Sequence, residues 1–200
     1  MKTIRLIFIL LAMVCVATVS AQEKKVVLGI KAGLNLSNVG DYEYGYYDNT
    51  RIKPGFHAGL TLDFAFSPHW YLLTGLEYTA KGFRAKSYID NLKVTAGYMQ
   101  IPLLGAYKFL ILDDLSIMIN TGPYFAYGVN GDMKMGRIKS DTFSDDGFRK
   151  FDCGVNIGVT LEWRKLCFSL NGEVGFIDML HDNWDKTANR NSTFSVGYKF

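Results

Sequence analysis

Hydrophobic and polar residues alternate along most of this chain with a period of two, the period of a β-strand whose two faces meet different surroundings. In the first such stretch, for example, Leu28 and Ile30 alternate with Gly29 and Lys31. We find no helical period of useful length. Eight alternating segments predict eight strands, at 26–37, 56–66, 72–83, 98–109, 115–129, 151–163, 166–176 and 192–200.

The connections between these segments alternate in length. Those after the second, fourth and sixth segments are short, at 67–70, 110–114 and 164–165, whereas the others run to about 14 to 21 residues. Short turns at one end and long loops at the other are typical of an up-and-down outer-membrane barrel, with the short turns facing the periplasm. A soluble sandwich would show Greek-key crossovers instead.

Aromatic residues indicate which face of the wall meets lipid, because two belts of them are expected at the two interfaces of a bilayer. Segment 56–66 spans about 33 Å, which at a tilt of about 40° gives a band of roughly 25 Å. The belts are predicted to comprise Phe66, Trp70, Tyr71, Tyr107, Phe109, Trp163, Phe168, Tyr198 and Phe200 near the short turns and Phe56, Tyr127, Phe151 and Phe176 near the long loops.

Backbone hydrogen bonding requires the predicted sheet to close. In hydrocarbon every N–H and C=O must find a partner, so eight strands cannot leave two free edges. We therefore predict an all-β fold, an eight-stranded antiparallel up-and-down transmembrane β-barrel. A soluble exported lipocalin-like binder, with its apolar face inside, is the alternative fold for the same alternation.

The amino terminus carries the one long apolar run of the sequence. This run follows Lys2 and Arg5 and ends in the small residues 19–21, the layout of a secretory signal peptide. A retained anchor helix is the alternative. We predict a signal peptide over 1–21 and a single barrel domain over 22–200.

Composition and charge exclude several other classes. Of the 200 residues, 48% are hydrophobic and 20% charged, and the formal net charge is +3, to which Lys2 and Arg5 contribute two charges. A charge this small does not indicate nucleic acid as a partner. A polytopic helical membrane protein would need further apolar runs of about 20 residues.

The last predicted strand ends in outward-facing aromatic residues, Tyr198 and Phe200. This resembles the carboxy-terminal signature that the barrel insertion machinery recognises, so we predict these two residues as an insertion signal. The expected location is the outer membrane of a Gram-negative bacterium, with both termini in the periplasm. The expected partners are the lipid of that membrane and, during biogenesis, the insertion machinery.

The run 98–104, Tyr-Met-Gln-Ile-Pro-Leu-Leu, resembles the Tyr-hydrophobic-Glu-Ile-Pro-Leu-Leu segment of the PorT-like outer-membrane β-barrel family. Supporting similarities lie at 27–33, 77–83 and 121–124. The resemblance covers essentially the whole chain after the predicted signal peptide and implies a small outer-membrane barrel. The family's name comes from a member needed for protein secretion across the outer membrane, but no residue here indicates that role. Gln100 stands where the family usually has an acidic residue.

The polar face of the predicted strands would line the lumen. An eight-stranded barrel is just wide enough to be filled by side chains. Because the charges are nearly balanced, we predict a packed network of salt bridges and hydrogen bonds in preference to a narrow pore. The predicted inward set is Lys31, His57, Asp63, Glu77, Lys81, Lys108, Asn120, Asp152, Asn156, Glu162, Asn171, Glu173 and Lys199.

Catalytic chemistry would need a base within hydrogen-bond reach of a nucleophile. The histidines are His57 near the outer rim, His69 in a short turn and His181 in the last long loop. His57 with a loop acid or a serine is the one candidate, and a rim histidine held by hydrogen bonds is the favoured interpretation. No metal-ligand spacing, nucleophile elbow or phosphate-binding loop is present. We predict no catalytic residue, no cofactor and no metal.

Two details follow from the predicted strand register. With a turn at 164–165, Cys153 and Cys167 lie on opposite faces of the wall, so no disulfide is expected. Pro102 and Pro123 lie almost opposite each other, and both lack the N–H that a ladder needs. We predict a shared bulge or bend at these prolines.

The long loops are the remaining place for function. The loop at 41–48 is predicted as an interaction site through its tyrosines, because Tyr offers a large amphipathic contact: Tyr42, Tyr44, Tyr46 and Tyr47. The favoured alternative is that these rings pack on the rim. The loop at 130–150 mixes charges and is predicted as solvated surface.

These observations together predict an outer-membrane β-barrel that is not an enzyme. Its role would be structural or a surface interaction with an unidentified extracellular or envelope protein. A rim-located lipid- or peptide-modifying enzyme, a narrow pore and a lipocalin-like binder are the alternatives.

Overall fold

The computed structural model describes the parts of the chain that form the barrel: 26–39, 47–87, 91–135, 138–143, 148–177 and 189–200. The signal peptide predicted over 1–21 lies outside the described residues, as do Tyr42, Tyr44, Tyr46 and His181. Among the described residues, no helix has the length and apolarity to cross a membrane.

The described residues form nine strands: β1 Val26–Val39, β2 Tyr47–Ala65, β3 Trp70–Ser87, β4 Asn91–Leu112, β5 Leu115–Met135, β6 Ile138–Asp141, β7 Phe151–Trp163, β8 Leu166–Gly175 and β9 Asn189–Lys199. Eight of them form a closed antiparallel barrel, in which β5 pairs with β7 and β1 closes the wall against β9. β6 pairs with β5 alone and extends the sheet beyond the barrel. The predicted fold is confirmed.

Strands β2 to β5 continue past their predicted ends on the side of the long loops, which we call the long-loop end. β3 and β4 remain paired as far as Lys86 and Asn91, so the third connection, predicted over 84–97, shrinks to 88–90. The predicted long third loop is therefore wrong. A period of two is lost from the sequence where both faces of a hairpin meet polar surroundings, so the pattern could not show this extension.

The outer face of the wall is covered by large hydrophobic side chains. Leu34 and Ile157, for example, are 62% and 60% exposed. This face agrees with lipid contact, and it excludes a lipocalin-like binder, whose apolar face would line the lumen. The belt residues point outward as predicted except for Tyr71, which faces the lumen, where the Nζ of Lys108 lies 5.6 Å from its ring centroid.

The register confirms the prediction for the cysteines. Glu162 pairs with Cys167 and Gly154 with Gly175. Cys167 is therefore buried in the lumen whereas Cys153 lies on the outer face, and both thiols are free.

The prolines also lie as close as predicted, and of the predicted bulge or bend, the bulge is absent. Pro102 is in register with Tyr124, the neighbour of Pro123, and the register of β4 and β5 is the same on both sides of the prolines. Between these described strands, the pairs that would join 103–104 to 122–123 are missing instead. The wall accommodates the two prolines, which lack an N–H donor, by an interruption of the β4–β5 ladder. No extra residue is inserted there.

Candidate functional site

Among the described residues, nine charged side chains form ion pairs inside the barrel; all of them are predicted to face inward, and each lies within 3.9 Å of an opposite charge. We call this set the ionic lumen: Lys31, Asp63, Glu77, Lys81, Lys108, Asp152, Glu162, Glu173 and Lys199. The predicted network of salt bridges is confirmed. Pairing is what makes burial of so many charges tolerable, because an unpaired buried charge is strongly destabilising.

Two lysines and two acids close the ionic lumen at the end of the short turns, which we call the short-turn end. Lys199 Nζ lies 2.7 Å from both Asp63 Oδ2 and Glu162 Oε2. The other Glu162 oxygen, Oε1, accepts from Lys108 Nζ at 3.1 Å. Lys108 and Lys199 thus share one carboxylate across the barrel.

The centre of the ionic lumen is organised around the buried carboxylate of Glu173. Lys81 Nζ lies 3.1 Å from Glu173 Oε2. Three amides donate to the same carboxylate: Gln100 at 2.7 Å, Asn156 at 3.2 Å and Asn191 at 3.1 Å. This charge is therefore held by one cation and a shell of neutral donors.

Gln100 has a role that its sequence position alone did not reveal. Its Nε2 donates to Glu173 Oε1 at 2.7 Å and to Glu77 Oε1 at 3.3 Å, so one amide joins two carboxylates. Lys31 holds Glu77 from the other side at 2.8 Å. The family resemblance places an acidic residue at position 100, and the contacts show why a neutral donor suits this chain.

His57 is the centre of a chain of side-chain hydrogen bonds. Asn35 Nδ2 donates to the Thr79 hydroxyl and to two backbone carbonyls at 2.9–3.0 Å, which fixes its amide orientation. Asn35 Oδ1, 2.6 Å from His57 Nδ1, therefore accepts the Nδ1 proton. His57 Nε2 is then free to accept from the Ser195 hydroxyl, 2.7 Å away. The geometry assigns this tautomer, in which a serine, a histidine and an orienting group lie in hydrogen-bond series.

The lack of solvent access to His57 and Ser195 distinguishes this hydrogen-bonded series from a working catalytic site. His57 and Ser195 are 3% and 1% exposed. The cavity that Ser195 lines has a volume of about 80 Å³, far below the roughly 300–1,000 Å³ of ordinary ligand pockets. The hydrogen bonds agree with the favoured interpretation of His57. Its predicted location near the outer rim is wrong, because β2 begins ten residues earlier, at Tyr47, and His57 is buried inside the lumen.

A hydrophobic cluster closes the other end of the lumen. We call it the aromatic mouth: Phe83, Val94, Ala96, Tyr98, Tyr124, Ala126, Phe143 and Phe148. Phe143 and Phe148 come from the loop after β6, and their rings pack edge-on against Tyr98 and Phe83, with centroids 5.5 and 6.3 Å apart. The prediction that loop 130–150 is solvated surface is wrong for these residues. Two isolated Phe residues in a polar loop form no periodic pattern, so their burial could not be predicted from the pattern of the chain.

Lys81 links the ionic lumen to the aromatic mouth. Its Nζ lies 4.3 Å from the ring centroid of Tyr124 and 3.9 Å from Asp152 Oδ2. Asp152 also accepts from Tyr124 and Asn189, at 3.3 and 2.9 Å. Cation–π contact and ion pairing thus meet at one buried ammonium group.

The other predicted site residues lie at the two ends of the barrel. Tyr198 and Phe200 point outward at the short-turn end with ring centroids 5.6 Å apart. Tyr47 begins β2 and pairs with Ser87. His69 is exposed and stacks on Tyr107. Within the described ranges, no three His, Cys, Asp or Glu side chains are grouped as a metal site would require.

The closed wall, the apolar outer face and the two aromatic belts define an outer-membrane β-barrel with transmembrane strands. The family described as "Outer membrane protein beta-barrel domain" matches residues 20–181, and the chain belongs to this family. No curated protein matches the chain.

Several solved structures are similar to this chain. Ail, the attachment invasion locus protein of Yersinia pestis, is 14% identical, with 88% of this chain and 99% of that chain covered and a TM-score of 0.46. Neisserial surface protein A is 12% identical, with 86% and 97% covered and a TM-score of 0.49. OprG from Pseudomonas aeruginosa is 12% identical, with 87% and 95% covered and a TM-score of 0.47.

Proposed function

We propose that this protein is a non-enzymatic outer-membrane barrel with a structural or surface-interaction role at its long-loop end. The observation that carries the proposal is the filled lumen. Paired charges occupy its centre and its short-turn end, and the aromatic mouth covers the other end. Contact with a partner is then left to the outer surfaces, of which the long-loop end is the more elaborate.

The tyrosines of the first long loop are the proposed contact residues: Tyr42, Tyr44, Tyr46 and Tyr47. Their number in one short loop supports recognition of an extracellular or envelope protein. The test is cross-linking and pull-down from cells that carry the full chain or a chain lacking 41–48. A partner captured by the full chain and lost with the deletion supports the proposal. A partner captured equally by both would move the site elsewhere.

We also propose that the short-turn end, with both termini, faces the periplasm and that Tyr198 and Phe200 are read by the insertion machinery. Their outward position at the short-turn end supports this role. Replacing both with Ala should lower the fraction of folded barrel in the outer membrane, whereas Phe176→Ala at the opposite belt should not. Equal effects of the two changes would argue against a signal.

Membership of the PorT-like group within the family is a further part of the proposal, supported by the run 98–104. A role in protein secretion would require secretion to fail when the protein is deleted, and unchanged secretion would exclude it.

The hydrogen-bonded series at His57 keeps one enzymatic alternative testable. We expect His57→Ala to leave the lipid composition of the envelope unchanged, because neither His57 nor Ser195 has room for a substrate. Altered acylation or headgroup content in that variant would favour the rim-located enzyme.

A further inference from the structure

Five cationic residues form a row across the strands at the long-loop end. Arg51 lies opposite Arg84 and Arg84 opposite Lys93. Lys93 lies opposite Lys134, and Lys134 opposite Lys139. We call these five residues the basic row. Neighbouring strands are about 4.8 Å apart, so five of them place this row along about 19 Å of the wall.

The basic row faces away from the lumen. Phe83 and Val94 belong to the aromatic mouth, and successive residues of a strand point to opposite faces, so Arg84 and Lys93 point outward. Residues directly opposite each other share a face, which extends this orientation to Lys134 and Lys139. Arg51 is placed in the row by its register alone, because the pairing of β2 with β3 shifts between Ile52 and His57. All five residues are exposed.

Most of this positive charge has no carboxylate beside it. Among the residues that the structure describes, Lys139 is the one member of the row with an ion-pair partner, Asp132 at 3.1 Å. Asp132 and Asp141 lie opposite each other under the β5–β6 end of the row. Like charges directly opposite each other destabilise a sheet. The β2–β4 end of the row therefore presents clustered positive charge that a bound anion would relieve.

Lys53 lies on the lumen side of β2, two residues from Arg51, and its pKa is affected by the positive charge of the basic row. It is buried and lies opposite Ser37. Burial and then the charges of Lys93 and Arg84 lower the pKa of Lys53.

The basic row lies above the belt near the long loops. Tyr78 joins this belt, with its ring centroid 5.6 Å from that of Phe56. Arg84 lies six residues further along β3, a rise of about 15 Å at the usual strand tilt. This height is above the hydrocarbon, at the level where the sugars of an outer-leaflet glycolipid lie. Long cationic side chains can also reach back toward the interface.

We propose that the basic row binds the phosphates and carboxylates of an anionic glycolipid headgroup, the inner saccharide of lipopolysaccharide. The inference rests on the proposed orientation, in which the long-loop end faces outward. A lipid headgroup fits better than a soluble polyanion because the row lies on the side of the wall, where neighbouring lipids stand, and not over the closed mouth. Arg and Lys are the side chains that make charge-assisted hydrogen bonds to such groups.

The test uses the full barrel in nonionic detergent micelles that contain either rough lipopolysaccharide or the same glycolipid after removal of its phosphates. The variant is Arg84→Gln with Lys93→Gln. The matched control, Lys150→Gln with Lys165→Gln, removes two charges away from the row. We expect the native chain to bind the phosphorylated form at least tenfold more tightly. The row variant should lose about tenfold of that preference, the control should keep it, and high salt should weaken it.

Three outcomes would overturn the inference: equal binding of both glycolipids, equal behaviour of the row variant and the control, or row-dependent binding of a soluble sulfated saccharide without any preference among the glycolipids. The last would assign the row to an extracellular polyanion. Heat-dependent gel mobility of every variant checks folding, and protease protection of the loops in whole cells checks orientation. A folded barrel with the long-loop end outside and no phosphate preference would reject the glycolipid site alone. Loops on the periplasmic side would reject the proposed function as well.

Discussion

The two ends of the lumen are filled by different means. The ionic lumen is built entirely from side chains of the wall, each fixed by strand alternation, and its stability depends on every charge having a partner. The aromatic mouth combines wall residues with Phe143 and Phe148 from a loop, and it is stabilised by removal of apolar surface from water. Removing one charge from the ionic lumen leaves the neighbouring charges without a partner. Removing a side chain from the aromatic mouth has a smaller effect, because the loop can repack. The same barrel thus has a rigid centre and an adaptable cover.

Lys81→Met should have the largest effect on stability. Lys81 is 1% exposed and pairs with both Glu173 and Asp152, so its loss leaves two buried carboxylates without their cation. We expect the free energy of unfolding to fall by about 3–5 kcal/mol. The measurement is urea unfolding of the barrel in lipid vesicles, followed by tryptophan fluorescence.

Lys139→Met is the matched control for this change. Lys139 also pairs with an acid, Asp132 at 3.1 Å, but its side chain is 61% exposed, so we expect a loss below about 1 kcal/mol. Similar small losses for Lys81→Met and Lys139→Met would show that the ionic lumen is not held by its pairing.

Gln100→Glu should have an intermediate effect. The amide of Gln100 donates to Glu77 and Glu173, and a carboxylate there would remove both hydrogen bonds and add a third negative charge. Loss of hydrogen bonds to charged groups predicts a decrease of about 2–3 kcal/mol in the free energy of unfolding. Gln100→Met, which removes the donors without adding charge, should cost less. Equal losses for the Glu and Met variants would mean that charge at this position does not matter.

The ionic lumen could be predicted from the sequence because it depends on alternation alone. Lys81 and Glu173 both fall on the polar face of their segments, and closure of the barrel brings that face together. The exact pairs could not be predicted, since Gln100 meets Glu173 across the barrel, where spacing along the chain gives no information.

The features that were missed depend on long-range register or on single loop residues. Arg84 and Lys93 become neighbours in the basic row only because β3 and β4 extend beyond the alternating pattern. Phe143 and Phe148 carry no periodic signal. The predicted outward face of Tyr71 is wrong because successive residues of a strand point to opposite faces, and its neighbour Trp70 points outward.

Among the changes to buried residues, and leaving the control variants aside, Phe143→Ala should have the smallest effect on stability. Phe143 packs on Tyr98 and is buried at the mouth, but it belongs to a loop that can collapse into the space left behind. The cost of a large-to-small change depends on such collapse, and we expect a loss of about 1–2 kcal/mol, below the 3–5 kcal/mol of a rigid core. Phe176→Ala, at a ring that is 68% exposed on the outer face, is the control and should change stability in detergent less.

A conductance measurement distinguishes the roles of the two ends of the lumen more clearly than a stability measurement does. If the aromatic mouth alone sealed the barrel, Phe143→Ala combined with Phe148→Ala would open a path for ions. The charges beneath it are paired across the full width of the barrel, from Lys31 and Glu77 to Lys81 and Glu173, so we expect planar-bilayer recordings of this double variant to show no discrete conductance. Discrete conductance steps in the double variant, but not in the native chain, would show that the aromatic mouth alone blocks ions. A narrow pore would then be the better description of this barrel.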